Sequence, residues 1–243
     1  MALTAGDNGL QLATVLPLGF TAGVDKFALS YWVRWETRGL QSYDMLLGIV
    51  DKDGGQAQLN VSLFSVDSLF FRVAGQNAGS IRPQHGIGPG AWFHVMHSVD
   101  LSGGNVQHYL NGAIIAHVAI APVQTRAIAE PAQWQIRLPH ANKGRFRLDR
   151  VQLHGYLPDP QQVFHGEVNG GLLDFECRAI DRHIREIPPA TVQDLASGCH
   201  LQVVTGTGRI DDEIAEPTAN LTLADEHITH SGIIWRTAWR KGD

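Results

Sequence analysis

The sequence predicts an all-β protein, an antiparallel two-sheet sandwich, on three observations. Short runs rich in β-branched and aromatic residues recur along the chain, Gly, Pro, Asn and Asp punctuate them, and amphipathic helices do not intervene. Strands at that spacing, without crossover helices, pack as a sandwich or barrel rather than as a parallel α/β sheet.

The clearest strands are Phe27–Trp35, Tyr43–Asp51, Ala57–Phe64, Ser68–Ala74, Ala91–Leu101, Asn105–Leu110, Ala113–Ala119, Trp134–Leu138 and Arg145–Tyr156. Asp53-Gly54-Gly55, Pro89-Gly90, Ser102-Gly103-Gly104, Asn111-Gly112 and Asn142-Lys143-Gly144 stand between them as turns. Asn-Gly is the strongest of these, because both residues tolerate a positive φ in a two-residue hairpin. In the first run Phe27, Leu29, Tyr31, Val33 and Trp35 share one apolar face. Ser30, Trp32 and Arg34 fall on the other, expected to be wet. Phe27, Leu29, Tyr31, Val33, Val95, Val99, Leu110 and Leu148 are the expected core.

Composition is that of a folded globular protein, with 44% hydrophobic and 18% charged residues in 243. A net charge of −5 gives no reason to expect nucleic acid. Arg145, Arg147 and Arg150 read as a solvated strand face. No stretch reaches the roughly 18 apolar residues of a membrane span, so membrane insertion is not expected. Residues 1–20 lack the basic and apolar regions of a signal peptide. The two cysteines, Cys177 and Cys199, supply no disulfide framework and read as buried thiols of a protein made in a reducing cytosol.

Four landmarks carry a family resemblance. Phe27-Ala28-Leu29-Ser30-Tyr31-Trp32-Val33 resembles the "F-T-L-S-F-W-V" strand of laminin-G/concanavalin A-like domains. Pro89-Gly90-Ala91-Trp92-Phe93-His94-Val95, then Val99-Asp100, then Tyr109-Leu110-Asn111-Gly112 resemble their "P-G-x-W-x-H-V-A … D … L-Y-V-N-G" signature. Arg147–His154 resembles their closing strand, and a short turn at Leu157–Phe164 follows it. The resemblance implies a jelly-roll sandwich over residues 1–156. Beyond it, residues 157–243 form a β-rich extension. Leu172–Glu176 and Asp194–Gly206 look like the family's N-terminal strands, placed here after the domain. They either complete the sandwich or begin a small appended assembly segment.

Catalysis is not expected. Hydrolysis on this fold resembles that of the laminarinase group, which sets carboxylates as E-x-D-x-E along one strand so that they enter one cleft. The nearest acidic cluster, Arg209-Ile210-Asp211-Asp212-Glu213-Ile214-Ala215-Glu216, lacks that spacing and reads as an exposed turn. There is no Gly-x-Ser-x-Gly elbow, and neither cysteine has an activating context. Asp51 and Asp53, alternating before Gly54-Gly55, resemble the opening of a calcium loop without its distal Glu. They are the candidate metal ligands, with a plain hairpin turn as the alternative. His94 and His97, three apart on a strand, face opposite sides and cannot share an ion.

Trp235 and Trp239 would share a face of a terminal strand, with Arg236 and Arg240 opposite. Such a strand covers the sandwich, contacts another protein or carries a glycan. The resemblance, with no signal peptide and no disulfides, implies a non-catalytic virion structural or adhesion protein of a bacteriophage, made in the host cytoplasm. Its partners would be other copies of itself, other virion proteins and cell-surface glycan. The alternative is a carbohydrate-binding, lectin-like module of a bacterial protein.

Overall fold

A computed structural model describes residues 2–15, 25–35, 44–51, 57–64, 68–123, 132–138, 146–168, 173–175, 192–193 and 200–211. The chain enters on β1 (Ala2–Val15), β2 (Lys26–Trp35), β3 (Asp44–Asp51), β4 (Ala57–Phe64), β5 (Ser68–Val73) and β6 (Gln76–Ile81). After a 3₁₀ turn at Pro83–His85 come β7 (Phe93–Asp100), β8 (Asn105–Leu110), β9 (Ala113–Ala119), β10 (Ala132–Leu138) and β11 (Phe146–His154). A short helix, α1 (Pro160–Phe164), precedes β12 (Leu173–Phe175), β13 (Val192–Gln193) and β14 (His200–Asp211).

These strands form two antiparallel layers of five, β6-β5-β4-β3-β10 and β11-β2-β7-β8-β9. Strand β1 joins them, its second half paired with β10 and its start with β11. Strands from the end of the chain enter the same hydrogen-bonded network. β12 lies beside β11, and β14 runs along β1 with β13 on its flank. Arg209, Ile210 and Asp211 therefore belong to a strand rather than to the expected turn; Asp212, Glu213 and Glu216 lie outside the described residues.

All eight residues expected in the core are buried, Leu110 being the most exposed at 8%. Period-2 alternation puts Phe27, Leu29, Tyr31 and Val33 of β2 on the inner face, against Leu59 and Val61 of β4 and Phe71 of β5 in one continuous cluster. At the rim, Gln76 ties the layers together. Its Nε2 donates to the Ala121 carbonyl at 2.9 Å, and the Ala121 amide donates to its Oε1 at 2.7 Å.

The outer face of the second layer departs from the expected wet surface. Ser30 and Trp32 are as buried as the core. Helix α1 is the reason. Asp159 caps it by accepting from the Gln161 amide at 2.8 Å, and Pro160 fixes the first helical φ. The helix then lays Phe164 on Trp32, ring centroids 5.7 Å apart, and Val163 on Ala28 and Met96. Nor do the arginines of β11 line a solvated face. Arg147 is half-buried, and Arg150, 9% exposed, sits at a register shift with φ +45. A bulge there breaks the alternation that the sequence suggests. Arg145 lies outside the described residues.

Candidate functional site

The outer face of the first layer carries the polar chemistry. Its strands pair so that Gln135 of β10 lies opposite Gly48 of β3, Gly48 opposite Asn60 of β4, Asn60 opposite Arg72 of β5, and Arg72 opposite Asn77 of β6. One cross-strand row thus spans the whole layer. Its middle is a floor, with Gln135 2%, Asn60 9% and nearby Ser62 5% exposed. Gln133 and Arg137 at one side are half-buried, whereas Arg72 and Asn77 at the other are exposed. Alternation on β10 produces this, because Trp134 and Ile136 turn inward and leave Gln133, Gln135 and Arg137 outward.

Glycine is required at position 48, where a Cβ would stand 2.3 Å from the Leu59 carbonyl oxygen and 3.0 Å from the Asn60 Cα. Two hydrogen bonds pre-set the floor. Gln135 Nε2 donates to Gln133 Oε1 at 3.0 Å, and Ser62 Oγ donates to Asn60 Oδ1 at 3.2 Å. Two enclosed atoms, Gln135 Oε1 and Arg137 Nε, have no hydrogen-bond partner among the described residues. An acceptor and a donor buried unmet cost about 1–3 kcal/mol each. Amides and hydroxyls donate and accept, and guanidinium groups add further donors, which is what clusters of vicinal hydroxyls need.

A second polar group lies on the other layer, around His94. Its ring is 2% exposed, 5.2 Å from the Trp32 ring centroid and 5.7 Å from that of Phe164. Burial, and then the positive charge of Arg150 and the neighbouring His154, hold its pKa down at about 3, so the imidazole is neutral at pH 7. His154 Nε2 stands 3.5 Å from Ser30 Oγ. Helix α1 covers this cluster, which leaves it a packed interior rather than an open cleft.

Of the sequence-predicted site residues only Asp51 falls within the described residues. Asp51 ends β3, where it pairs with Ala132, whereas Asp53 lies outside the described residues, as do Trp235, Arg236, Trp239, Arg240, Cys177 and Cys199. Among the described residues no group of three or more His, Cys, Asp or Glu side chains gathers as a metal would need. His94 and His97 face opposite sides, as their spacing requires. The polar row was missed. Gln133, Gln135 and Arg137 alternate visibly with apolar neighbours, but nothing in the sequence aligns them with Asn60 and Arg72, two and three strands away.

No protein-family model and no curated protein sequence matches the chain. Solved structures do. The native heptameric SAP-like pentraxin of Limulus polyphemus is 14% identical, with 86% of this chain and 94% of that one covered and a TM-score of 0.56. A protein of Bacteroides ovatus classed as carbohydrate-binding is 12% identical over 87% of this chain and 60% of its own, at a TM-score of 0.54. The binding domain of botulinum neurotoxin serotype D is 11% identical over 68% of this chain and 42% of its own, at 0.51. Identities this low establish a likeness of fold alone, the antiparallel two-sheet jelly-roll sandwich.

Proposed function

We propose that the protein is a non-catalytic carbohydrate-binding module that holds a glycan on the outer face of its first layer. The observation that carries this reading is the row Gln135-Gly48-Asn60-Arg72-Asn77, a pre-set polar floor with unmet hydrogen-bonding atoms. A jelly roll shared with a protein classed as carbohydrate-binding supports it. Sugars are recognised by planar amide and guanidinium groups that bond adjacent hydroxyls in pairs, and this face supplies them from four strands. The virion role implied by the sequence resemblance ranks below it, since the names of two of the similar structures point to binding. Self-association remains part of the proposal, the pentraxin being a heptamer.

Affinity electrophoresis of the full chain through gels containing neutral polysaccharides tests the reading. Retardation by at least one polysaccharide is expected, with at least a ten-fold loss of affinity in Arg72→Ala and in Asn77→Ala. Retardation that neither substitution alters would reject this face as the site.

A further inference from the structure

The amide face is positive as well as polar, in a chain that is acidic overall, with 24 Asp and Glu against 19 Lys and Arg. Strands β4, β5, β6 and β10 of its layer contain no Asp or Glu, and β3 has Asp44 and Asp51 only at its two ends. Three arginines lie on or beside the face. Arg72 of β5 is exposed and belongs to the polar row. Arg82, the residue after β6, is exposed as well. Arg137 is half-buried on β10, at the opposite side of the layer.

Local hydrogen bonds aim the first two. Arg72 Nη2 donates to the Gly75 carbonyl at 3.1 Å, and Arg82 Nε donates to Ser80 Oγ at 2.9 Å. Ser80 is opposite Phe70, which is two residues from Arg72 and so on the same face of β5. The anchor points of the two guanidinium groups are thus about 7 Å apart along β5 and about 5 Å apart across to β6. Each bond occupies one of the five N–H donors of a guanidinium. Among the described residues neither group meets a carboxylate.

We infer that the glycan held on this face is acidic, and that Arg72 and Arg82 take its carboxylate or sulfate group at the β5–β6 side. The inference rests on the function proposed above and adds the charge of the ligand. A guanidinium pairs with either oxyanion through two parallel hydrogen bonds, each about twice as strong as a neutral one. Arg82 keeps both Nη groups for such a fork, and Arg72 keeps Nη1 and Nε. A surface of one sign also draws an oppositely charged ligand before contact. The amides of Asn60, Asn77 and Gln135 then serve its hydroxyls. A neutral saccharide meets the same row without the ionic pairs and is held more weakly.

The full chain is titrated calorimetrically with two matched pairs, polygalacturonate with its methyl ester and dextran sulfate with dextran, and with single-stranded DNA. In at least one pair the charged member should bind at least ten-fold more tightly than the neutral one, and which pair does so tells carboxylate from sulfate recognition. That affinity should fall with salt and drop at least ten-fold in Arg72→Gln and in Arg82→Gln, with part of it recovered in Arg82→Lys. Lys26→Gln removes the same charge from the second layer, where Lys26 pairs with Asp100 at 3.2 Å, and should leave the affinity unchanged. Both arginines are exposed, so the variants should fold, and circular dichroism melts check that they do. A charge preference that survives both arginine substitutions, an equal loss in Lys26→Gln, or a preference for DNA overturns the inference. Equal binding within each pair, lost in Asn77→Ala, overturns the acidic ligand and leaves the glycan reading standing. Binding to none of the four polysaccharides counts against both.

Discussion

His97 Nδ1 lies 2.7 Å from His108 Nδ1 in the sealed space between the layers, and the surrounding bonds fix which ring donates. His108 Nε2 is 2.6 Å from the Ala78 carbonyl, which only accepts, so the proton of His108 is on Nε2. Its Nδ1 must then accept, and His97 donates to it from Nδ1. His97 Nε2 is left to accept from the Tyr31 hydroxyl at 3.0 Å. One direction of donation runs from β2 through β7 and β8 to β6, while the His97 ring stacks on Phe71 of β5 at 4.2 Å. Both rings are neutral in this arrangement, and a proton added to His108 Nδ1 would set it donor to donor against His97 Nδ1.

Acid should therefore destabilise the fold. Burial, and secondarily the adjacent His108, push the His97 pKa well below its usual range; burial also lowers that of His108, and His94 is held at about 3. Each histidine is neutral when folded but protonates near pH 6.5 when unfolded. Below pH 6.5 the unfolded state binds more protons, so stability falls as pH falls. His94 alone accounts for a loss on the order of 4 kcal/mol between pH 7 and pH 3.5. Urea unfolding from pH 8 to pH 4 should show a plateau above pH 7 and a decline below 6.5, shallower in His94→Gln. A flat profile would contradict the assignment of neutral rings.

Gly79 lets the His108 ring reach its carbonyl. Its φ is +103, and a Cβ there would stand 2.7 Å from His108 Nε2 and 2.9 Å from Val118 Cγ2. Gly79→Ala should cost about 1–3 kcal/mol from backbone strain alone, with the ring contact adding to it. Thermal melts of the two proteins side by side measure the difference.

Phe164 keeps the second layer's outer face dry. Phe164→Ala removes the ring stacked on Trp32 and should cost about 3 kcal/mol. Trp32 and Trp92 would then meet water, and tryptophan emission should shift to longer wavelength. Unchanged emission and stability would mean that α1 is not what seals that face.

Much of the sandwich was legible because alternation has a strict period. Val95, Val99, Leu110 and Leu148 could be placed inside from their own strands. β6 was not legible, since Gln76-Asn77-Ala78-Gly79-Ser80-Ile81 is polar and holds a glycine, both unfavourable to strands. It is held by pairing with β5 and by the Gln76 clasp on Ala121. β1 was passed over because Asp7-Asn8-Gly9 interrupts it, and its register with β14 shifts across that stretch. Trp32 and Ser30 were taken as outward, correctly, but the helix over them is tertiary and leaves no mark on the period of β2. The polar row was hidden for the same reason, its members being 12 to 75 residues apart in sequence from Asn60.

The most direct test of the carbohydrate-binding account follows the side-chain amides themselves. Nuclear magnetic resonance titration of the labelled protein with a bound neutral glycan resolves the NH₂ groups of Asn60, Asn77, Gln133 and Gln135. The account predicts that these resonances shift together and saturate at the calorimetric dissociation constant, while the ring signals of His97 and His108 stay fixed. Shifts confined to the other layer, with the four amides unmoved at saturation, would contradict it.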